Sequence, residues 1–357
     1  MAKIKAAVIF GGISREHELS LASAADVIAN IPTDKYEVIC IGITRKGRWL
    51  YYPGDVADIA TGKWELNPDC TSAVISPDPL HRGIIILENG EVSIRKIDVV
   101  FPLLHGKSGA DGTIQGLLDL SGIPYVGCGL LAAASCMDKS HTHMVMDDFG
   151  IKTAEWRLIT QRELSEIDEC CEKIAGELGF PLIVKPANSG SDAGTSYADS
   201  PESLVSAVKV AFSNDNKVVV EKFIKGRKLE AAVFGYDSPF SSCIGEIVEN
   251  GHTYDPNDFS ATSGDELVVP ADLPNDVHNR IRETAVQAFK ALNCKGMARI
   301  DFFLTDDSQL LLNKIGVAPG LRKNSIYPKL MEHLGMSLPY LLDKMLEQAM
   351  ENAERSY

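Results

Sequence analysis

The chain has 357 residues, 45% hydrophobic and 24% charged, with a formal net charge of −14. That length suits two or three compact domains around a large core, and the acidic balance argues against an exposed nucleic-acid or anionic-membrane surface while still allowing a local basic pocket. Residues 1–5 lead straight into a strand without a signal-peptide pattern, no apolar run is long enough to span a bilayer, and the eight cysteines form no CxxC pair, so a cytoplasmic protein with reduced thiols and no zinc motif is expected.

Residues 5–10 (KAAVIF) are an apolar run ending at Gly11-Gly12, which predicts a parallel strand entering a turn. Apolar residues at helical spacing follow over 20–30. Strand signals recur at 37–43 and 98–104, a helix is expected from about Thr113, and a short strand at Tyr125-Val126. This alternation predicts a doubly wound, Rossmann-like domain over residues 1–128. Gly11-Gly12 and His105-Gly106 would then both open at the carboxyl edge of its sheet, where such sheets bind ligands.

Over 129–215 the order reads helix, strand, helix, strand, then the loop after Lys185. Strands at 217–223 and 229–235 open a third region, 216–357, in which 251–265 is long and polar enough to be a lid. A helix over 274–292, a hairpin of 298–304 with 309–315, and an amphipathic helix over 337–353 with Ser337 as its N-cap complete the chain.

The run Lys185-Pro186-Ala187-Asn188-Ser189-Gly190-Ser191-Asp192-Ala193-Gly194 follows a buried-strand pattern. Its glycines and small residues let backbone amides close over a phosphate while Lys185 supplies charge, although such loops are as often plain turns. Three further segments stand beside it: Gly11 to Ser20 (GGISREHELS), His105 to Gly116 (HGKSGADGTIQG), and Arg299-Ile300-Asp301-Phe302-Phe303. In this order and at these separations they resemble the D-alanine–D-alanine ligases of the ATP-grasp superfamily, over nearly the whole chain. Within it they resemble most the D-Ala–D-Ser ligases of vancomycin-resistance clusters.

The resemblance implies an α/β, three-domain ATP-grasp fold with a Rossmann-like N-terminal domain. It implies an ADP-forming ligase that joins two D-amino acids through an acyl phosphate for peptidoglycan precursor synthesis. ATP and Mg2+ would be the cofactors, D-alanine and D-serine the partners, and the assembly a homodimer. Carried over by position, Lys139, Lys185 and Glu221 would hold ATP, and Asp301 would hold magnesium. Glu16, Ser191 and Arg299 would be catalytic: Glu16 against the first ammonium, Ser191 linking it to the lid, Arg299 on the acyl phosphate and oxyanion. His105 and Ser325, with Glu16, would bind the substrates. Bland alternatives exist for three of these: Lys139 as a surface lysine, Glu16 as a helix N-terminal acid, and Arg299 as an ion-pair partner of Asp301.

Several positions depart from the family's pattern. Lys228 stands where a glutamate holds the ribose, Lys314 and Gly316 where a carboxylate and an amide hold metal, and Phe259 and Ser260 where the lid shows a Lys-Tyr pair. Ala110, Asn188 and Asp192 replace other polar residues, and Arg322 and Lys323 make the region before Ser325 basic. A charged lysine has no acceptor for magnesium, so one ion rather than two is expected. Three readings follow: a working ligase, a pseudo-ligase that binds without turnover, and a ligase for a more acidic substrate.

Overall fold

In the computed structural model the described residues are 2–190, 193–248 and 266–355. The expected lid, 251–265 with Phe259 and Ser260, lies outside them, as do Ser191 and Asp192.

The first sheet grows from β1 (Ile4–Gly11), where Ala6 to Phe10 are fully buried. It is followed by α1 (His17–Asn30), β2 (Tyr36–Ile43), β3 (Trp49–Tyr52), α2 (Val56–Ala60), β4 (Thr71–Ile75), β5 (Gly83–Glu88), β6 (Glu91–Lys96), β7 (Val99–Pro102) and α3 (Thr113–Ser121). The seven strands lie in the order β6-β5-β4-β3-β2-β1-β7. Only β2 and β7 run parallel to β1; β3 to β6 extend the sheet as an antiparallel meander. The Rossmann-like expectation therefore holds for the β2-β1-β7 centre and not for the meander, which the sequence reading did not anticipate. Gly11 has φ +89°, and a Cβ there would sit 2.2 Å from the Ile43 carbonyl oxygen, so only glycine lets the chain leave the sheet at this point. The first helix starts at His17 rather than Ser20, held by a 2.7 Å hydrogen bond between His17 Nδ1 and the Gly12 carbonyl.

The middle of the chain forms α4 (Leu130–Met137), α5 (Lys139–Asp148), β8 (Trp156–Thr160), α6 (Ile167–Leu178), β9 (Leu182–Pro186), β10 (Ser196–Ala198), α7 (Pro201–Phe212) and β11 (Lys217–Lys222). Their antiparallel sheet has the order β10-β9-β11-β8. Here the expectation that residues 217–223 open the third region is corrected. β11 pairs with β9 and β8, because its buried Val218 and Val220 join the apolar layer under α6 and α7.

The remainder comprises β12 (Arg227–Gly235), β13 (Phe240–Val248), β14 (Glu266–Val268), α8 (Asn275–Ala291), β15 (Gly296–Leu304), β16 (Leu310–Gly316), α9 (Ile326–Glu332) and α10 (Leu338–Arg355). The sheet order is β14-β13-β12-β15-β16. One face, with Ala231, Val233, Ile300 and Phe302, packs on α8 and also on α4 and α5. The other face, with Ala232, Phe234 and Met297, is covered by α9 and α10. Leu341, Leu342 and Met345 of α10 continue into the core of the first sheet, and Lys35 Nζ and the Tyr36 hydroxyl each donate to Asp343 at 2.8 Å. Among the described residues no helix is long and apolar enough to cross a membrane.

Candidate active site

In a strand, alternate side chains share a face. That rule places Arg299 and Asp301 of β15 on the face of the third sheet that α9 and α10 cover further along. Register puts Glu230 of β12 opposite Asp301 on one side and Lys314 of β16 opposite it on the other. Three charged residues thus lie in a row across three strands. Asn313 is the extra residue of a bulge beside this row, where Asp301 faces Lys314 but Phe302 faces Leu312. Arg299 holds Asp301 with two parallel hydrogen bonds, Nε to Oδ1 at 2.8 Å and Nη2 to Oδ2 at 2.7 Å, and its Nε lies 3.2 Å from Glu230 Oε2. Glu230 is buried. Desolvation first and Asp301 second push its carboxyl up to about 8, against the opposing pull of Arg299 and Lys314. Lys314 reaches away from the row and donates to the Gly190 carbonyl at 3.2 Å, linking the third sheet to the glycine-bearing loop after β9.

A second cluster lies on the four-stranded sheet. Lys185 Nζ donates to Glu221 Oε2 at 2.6 Å, and the other oxygen, Oε1, lies 2.9 Å from His143 Nε2. Burial alone would raise the Glu221 carboxyl, but Lys185 and His143 outweigh it and bring it down to about 2. The His143 ring meets Thr153 Oγ1 at 2.9 Å through Nδ1 and stacks on Trp156 with centroids 4.8 Å apart. The segment carrying Thr153 joins the third sheet, since the Leu312 amide donates to the Lys152 carbonyl at 2.8 Å. Lys139, the first residue of α5, is not a free surface lysine: its Nζ donates to the carbonyls of Ser189 at 2.8 Å and Pro186 at 3.3 Å. It therefore pins the start of the glycine loop.

The third cluster surrounds a cavity of ≈ 180 Å³ bordered by Glu16, His105, Cys136, Lys139, Arg299 and Lys314, with the segment 315–320 along one side. Glu16 occupies the N-cap position of α1 but makes no side-chain capping bond. Its carboxylate instead lies against two glycines: a Cβ on Gly106 would stand 2.5 Å from Oε2, and one on Gly190 would stand 3.4 Å from it. His105 is buried, and desolvation brings its imidazole down to about 4, so it is neutral at neutral pH. Nδ1 lies 3.1 Å from the Ala318 carbonyl, an acceptor, so Nδ1 carries the hydrogen and Nε2 is left as an acceptor. That Nε2 is buried without a hydrogen-bond partner among the described residues. Ser325, the N-cap of α9, comes next to the same cavity through Gly320, where a Cβ would sit 3.0 Å from its Oγ.

The structure therefore brings Glu16, His105, Lys139 and Arg299 to one cavity, with Asp301 bonded to Arg299 and Ser325 beside Gly320. Lys185 and Glu221 form a separate pair behind the glycine loop, and Ser191 lies outside the described residues. Sequence reasoning missed His143 and Glu230. Each had a signal: His143 follows Lys139 by four positions, on the same helix face, and Glu230 is one strand spacing from Lys228 on the face that meets Asp301.

The family model described as "D-ala D-ala ligase N-terminus" matches residues 5–128, and that described as "D-ala D-ala ligase C-terminus" matches 145–347. The chain is 42% identical over 354 residues to the D-alanine–D-alanine ligase of Thermoanaerobacter sp. (strain X514), covering 99% of this chain and 98% of that one. Among solved structures, the VanG D-Ala:D-Ser ligase from Enterococcus faecalis superposes with a TM-score of 0.90 at 34% identity, covering 98% of this chain and 100% of that one. The D-alanine-D-alanine ligase from Coxiella burnetii gives a TM-score of 0.86 at 30% identity, covering 99% of this chain and 97% of that one.

Proposed function

The chain belongs to the D-alanine–D-alanine ligase family, whose members are ATP-dependent ligases, and on that premise we propose that it joins D-alanine to a second D-amino acid, D-alanine or D-serine. The observation that carries the reading is the cavity in which an amine-binding side, Glu16 with the unpartnered Nε2 of His105, faces a cationic side made of Arg299, Lys139 and Lys314. A primary ammonium brings three donors and no acceptor. An ionised carboxylate and a neutral imidazole acceptor are complementary to it. The first D-alanine thus enters with its ammonium beside Glu16 and its carboxylate toward Arg299.

The carboxylate attacks the γ-phosphorus of ATP, the bond to the β-phosphate oxygen breaks, and ADP leaves an acyl phosphate. The amine of the second amino acid then attacks the acyl carbon, and inorganic phosphate departs. Arg299 stabilises the charge on the phosphoryl oxygens and then the oxyanion. The Ser325 hydroxyl and the basic Arg322 and Lys323 receive the second substrate's carboxylate. Lys185 neutralises nucleotide phosphates once it parts from Glu221, and the opposite oxygen of Glu221 stays bonded to His143.

For magnesium, the row Glu230–Asp301–Lys314 offers the carboxylate of Asp301, a buried Glu230 carboxyl whose ionisation burial and Asp301 oppose, and a lysine side chain that has no acceptor to give a cation. This donor set fits a single ion held by Asp301 together with phosphate oxygens, and does not fit two. When bound, the ion neutralises charge that develops on the transferring phosphoryl group. On the family resemblance alone, we extend the proposal to a cytoplasmic homodimer that supplies peptidoglycan precursors.

Phosphate release and dipeptide yield measured in one reaction with Mg-ATP, across D-alanine, D-serine and D-lactate, test the proposal. D-alanine-dependent phosphate release with a matching dipeptide is expected. One observation favours a second reading, a pseudo-ligase: Lys185 and Arg299 are both engaged by carboxylates, and Lys314 by a backbone carbonyl. No phosphate release from demonstrably folded protein would select that reading.

A further inference from the structure

Three cysteines far apart in sequence converge where α4 meets the turn before β15. The Sγ atoms of Cys136 and Cys294 are 3.8 Å apart, within hydrogen-bond contact, and Cys128 is a further neighbour of Cys294. Cys136 is partly exposed and borders the cavity of the candidate active site, whereas Cys294 and Cys128 are buried. We infer that Cys136 and Cys294 are a disulfide-forming modification site, closed by a small peroxide that enters through the cavity.

A disulfide bond needs its sulfur atoms at about 2.05 Å. At 3.8 Å the two sulfurs are already in contact, so the bond needs an approach of under about 2 Å between neighbouring atoms. Access decides the order of events. A peroxide in the cavity meets Cys136 first, since neither of its neighbours borders that space. The Cys136 sulfur attacks one peroxide oxygen as its thiol gives up its proton. An S–O bond forms, the O–O bond breaks, and the departing hydroxide takes that proton and leaves as water, giving a sulfenic acid. The Cys294 sulfur then attacks the Cys136 sulfur, the S–S bond forms, and the S–O bond breaks. The hydroxide that leaves takes the Cys294 proton as a second water. Two thiols are oxidised and one peroxide is reduced.

Cys128 does not compete for this bond. Its thiol donates to the backbone carbonyls of Lys295 at 3.2 Å and Met297 at 3.5 Å, which orients it along β15. Its burial also keeps it from the oxidant. The bond would tie the end of α4, directly before Asp138 and Lys139, to the turn leading into Arg299. It would also withdraw the Cys136 sulfur from the cavity lining. Both changes act on groups that the turnover described above uses, but formation of the bond itself rests on the thiol geometry alone.

The test is treatment of the full-length protein with hydrogen peroxide, alkylation of free thiols, proteolysis without reductant, and mass spectrometry. A peptide pair joined through Cys136 and Cys294, lighter by its two thiol hydrogens, is expected, with Cys128 alkylated after unfolding. Cys136→Ser abolishes the cross-link. Ligase turnover should fall in step with the cross-link in the wild type and return with dithiothreitol, and Cys136→Ser, which has no thiol at the cavity to oxidise, should resist the loss. Absence of the joined peptide from treated wild type, or a Cys128–Cys294 bridge in its place, overturns the inference. Because the peptide is read directly, a protein without turnover still decides the matter, and that result would count only against the ligase reading.

Discussion

Lys185 and Glu221 sit on adjacent antiparallel strands as diagonal neighbours: register sets Lys185 opposite Val219, two positions from Glu221 on the same face, and their side chains meet at 2.6 Å. Both are largely buried, and His143 supplies a second partner to the carboxylate. The cluster thus joins β9, β11 and α5. It stores the lysine that the phosphates need against a carboxylate that does not depend on that lysine alone.

Glu221→Gln keeps the shape and removes the charge. Loss of one partner from a buried ion pair costs roughly 3–5 kcal/mol, because the remaining charge is left uncompensated. The folded-state carboxyl is depressed to about 2 from the ordinary 4.5, so its contribution is present in full above about pH 4.5 and is lost as pH falls toward 2. Thermal unfolding between pH 3 and 8 should show the variant less stable at neutral pH, with the gap closing in acid. A constant gap across that range would contradict the assignment of charge.

Glu230 behaves in the opposite sense. Its carboxyl is raised to about 8 in the folded protein by burial and Asp301, whereas an unfolded glutamate ionises near 4.3. Between these values the unfolded chain binds fewer protons than the folded one, so stability falls as pH rises through the window. Glu230→Gln, which is neutral throughout, should flatten that alkaline decline. Melting temperature followed from pH 5 to 9 in both proteins checks this, and parallel curves would show that Glu230 is ionised.

Much of this arrangement was legible in the sequence where a local pattern had one solution. Residues 6–10 are apolar throughout because β1 is buried on both faces between two parallel strands, and the glycines after it are required by the turn. The β3 to β6 meander was not legible. Its outer strands are short and half solvated: β6 is exposed at nearly every position, so neither a continuous apolar run nor strict alternation marks it. β11 was read as a strand but placed in the wrong sheet, since its buried valines suit any interior equally. The candidate site was legible as residue types. Its pairings were not, because Glu230 with Asp301 and His143 with Glu221 depend on which strands and helices become neighbours.

Gly106 gives a sharp test of the amine-binding side. It has φ +68°, and a Cβ there would stand 2.5 Å from Glu16 Oε2 and 2.6 Å from Ser14 Oγ. Gly106→Ala therefore strains the backbone by about 1–2 kcal/mol and displaces the Glu16 carboxylate. KM for the first D-alanine should rise about tenfold or more, equivalent to ~1.4 kcal/mol of lost binding, while KM for ATP changes little. An equal rise in both would point to general misfolding of the loop and would remove Glu16 from the ammonium site.

The metal count follows from two positions on β16. Lys314 faces Asp301 across the strands with an ammonium, and Gly316 faces Arg299 with no side chain. A Cβ on Gly316 would meet only the Arg299 carbonyl oxygen, at 3.8 Å, and no positive φ stands against it, so a side chain can leave the backbone here without a clash at its first atom. The double variant Lys314→Glu with Gly316→Asn replaces a cation with a carboxylate and adds an amide oxygen, completing an oxygen-rich set suited to a hard divalent ion. It also removes the Lys314 bond to Gly190, so the glycine loop must then be held by the nucleotide and its metal. Wild type should bind one manganese ion per nucleotide and the variant two, read by anomalous scattering from crystals of the nucleotide complex. The variant's ATP affinity should depend more steeply on metal concentration than that of the wild type. Two ions in the wild-type complex would show that the Lys314 ammonium moves aside for metal, and that the row Glu230–Asp301–Lys314 does not set the count.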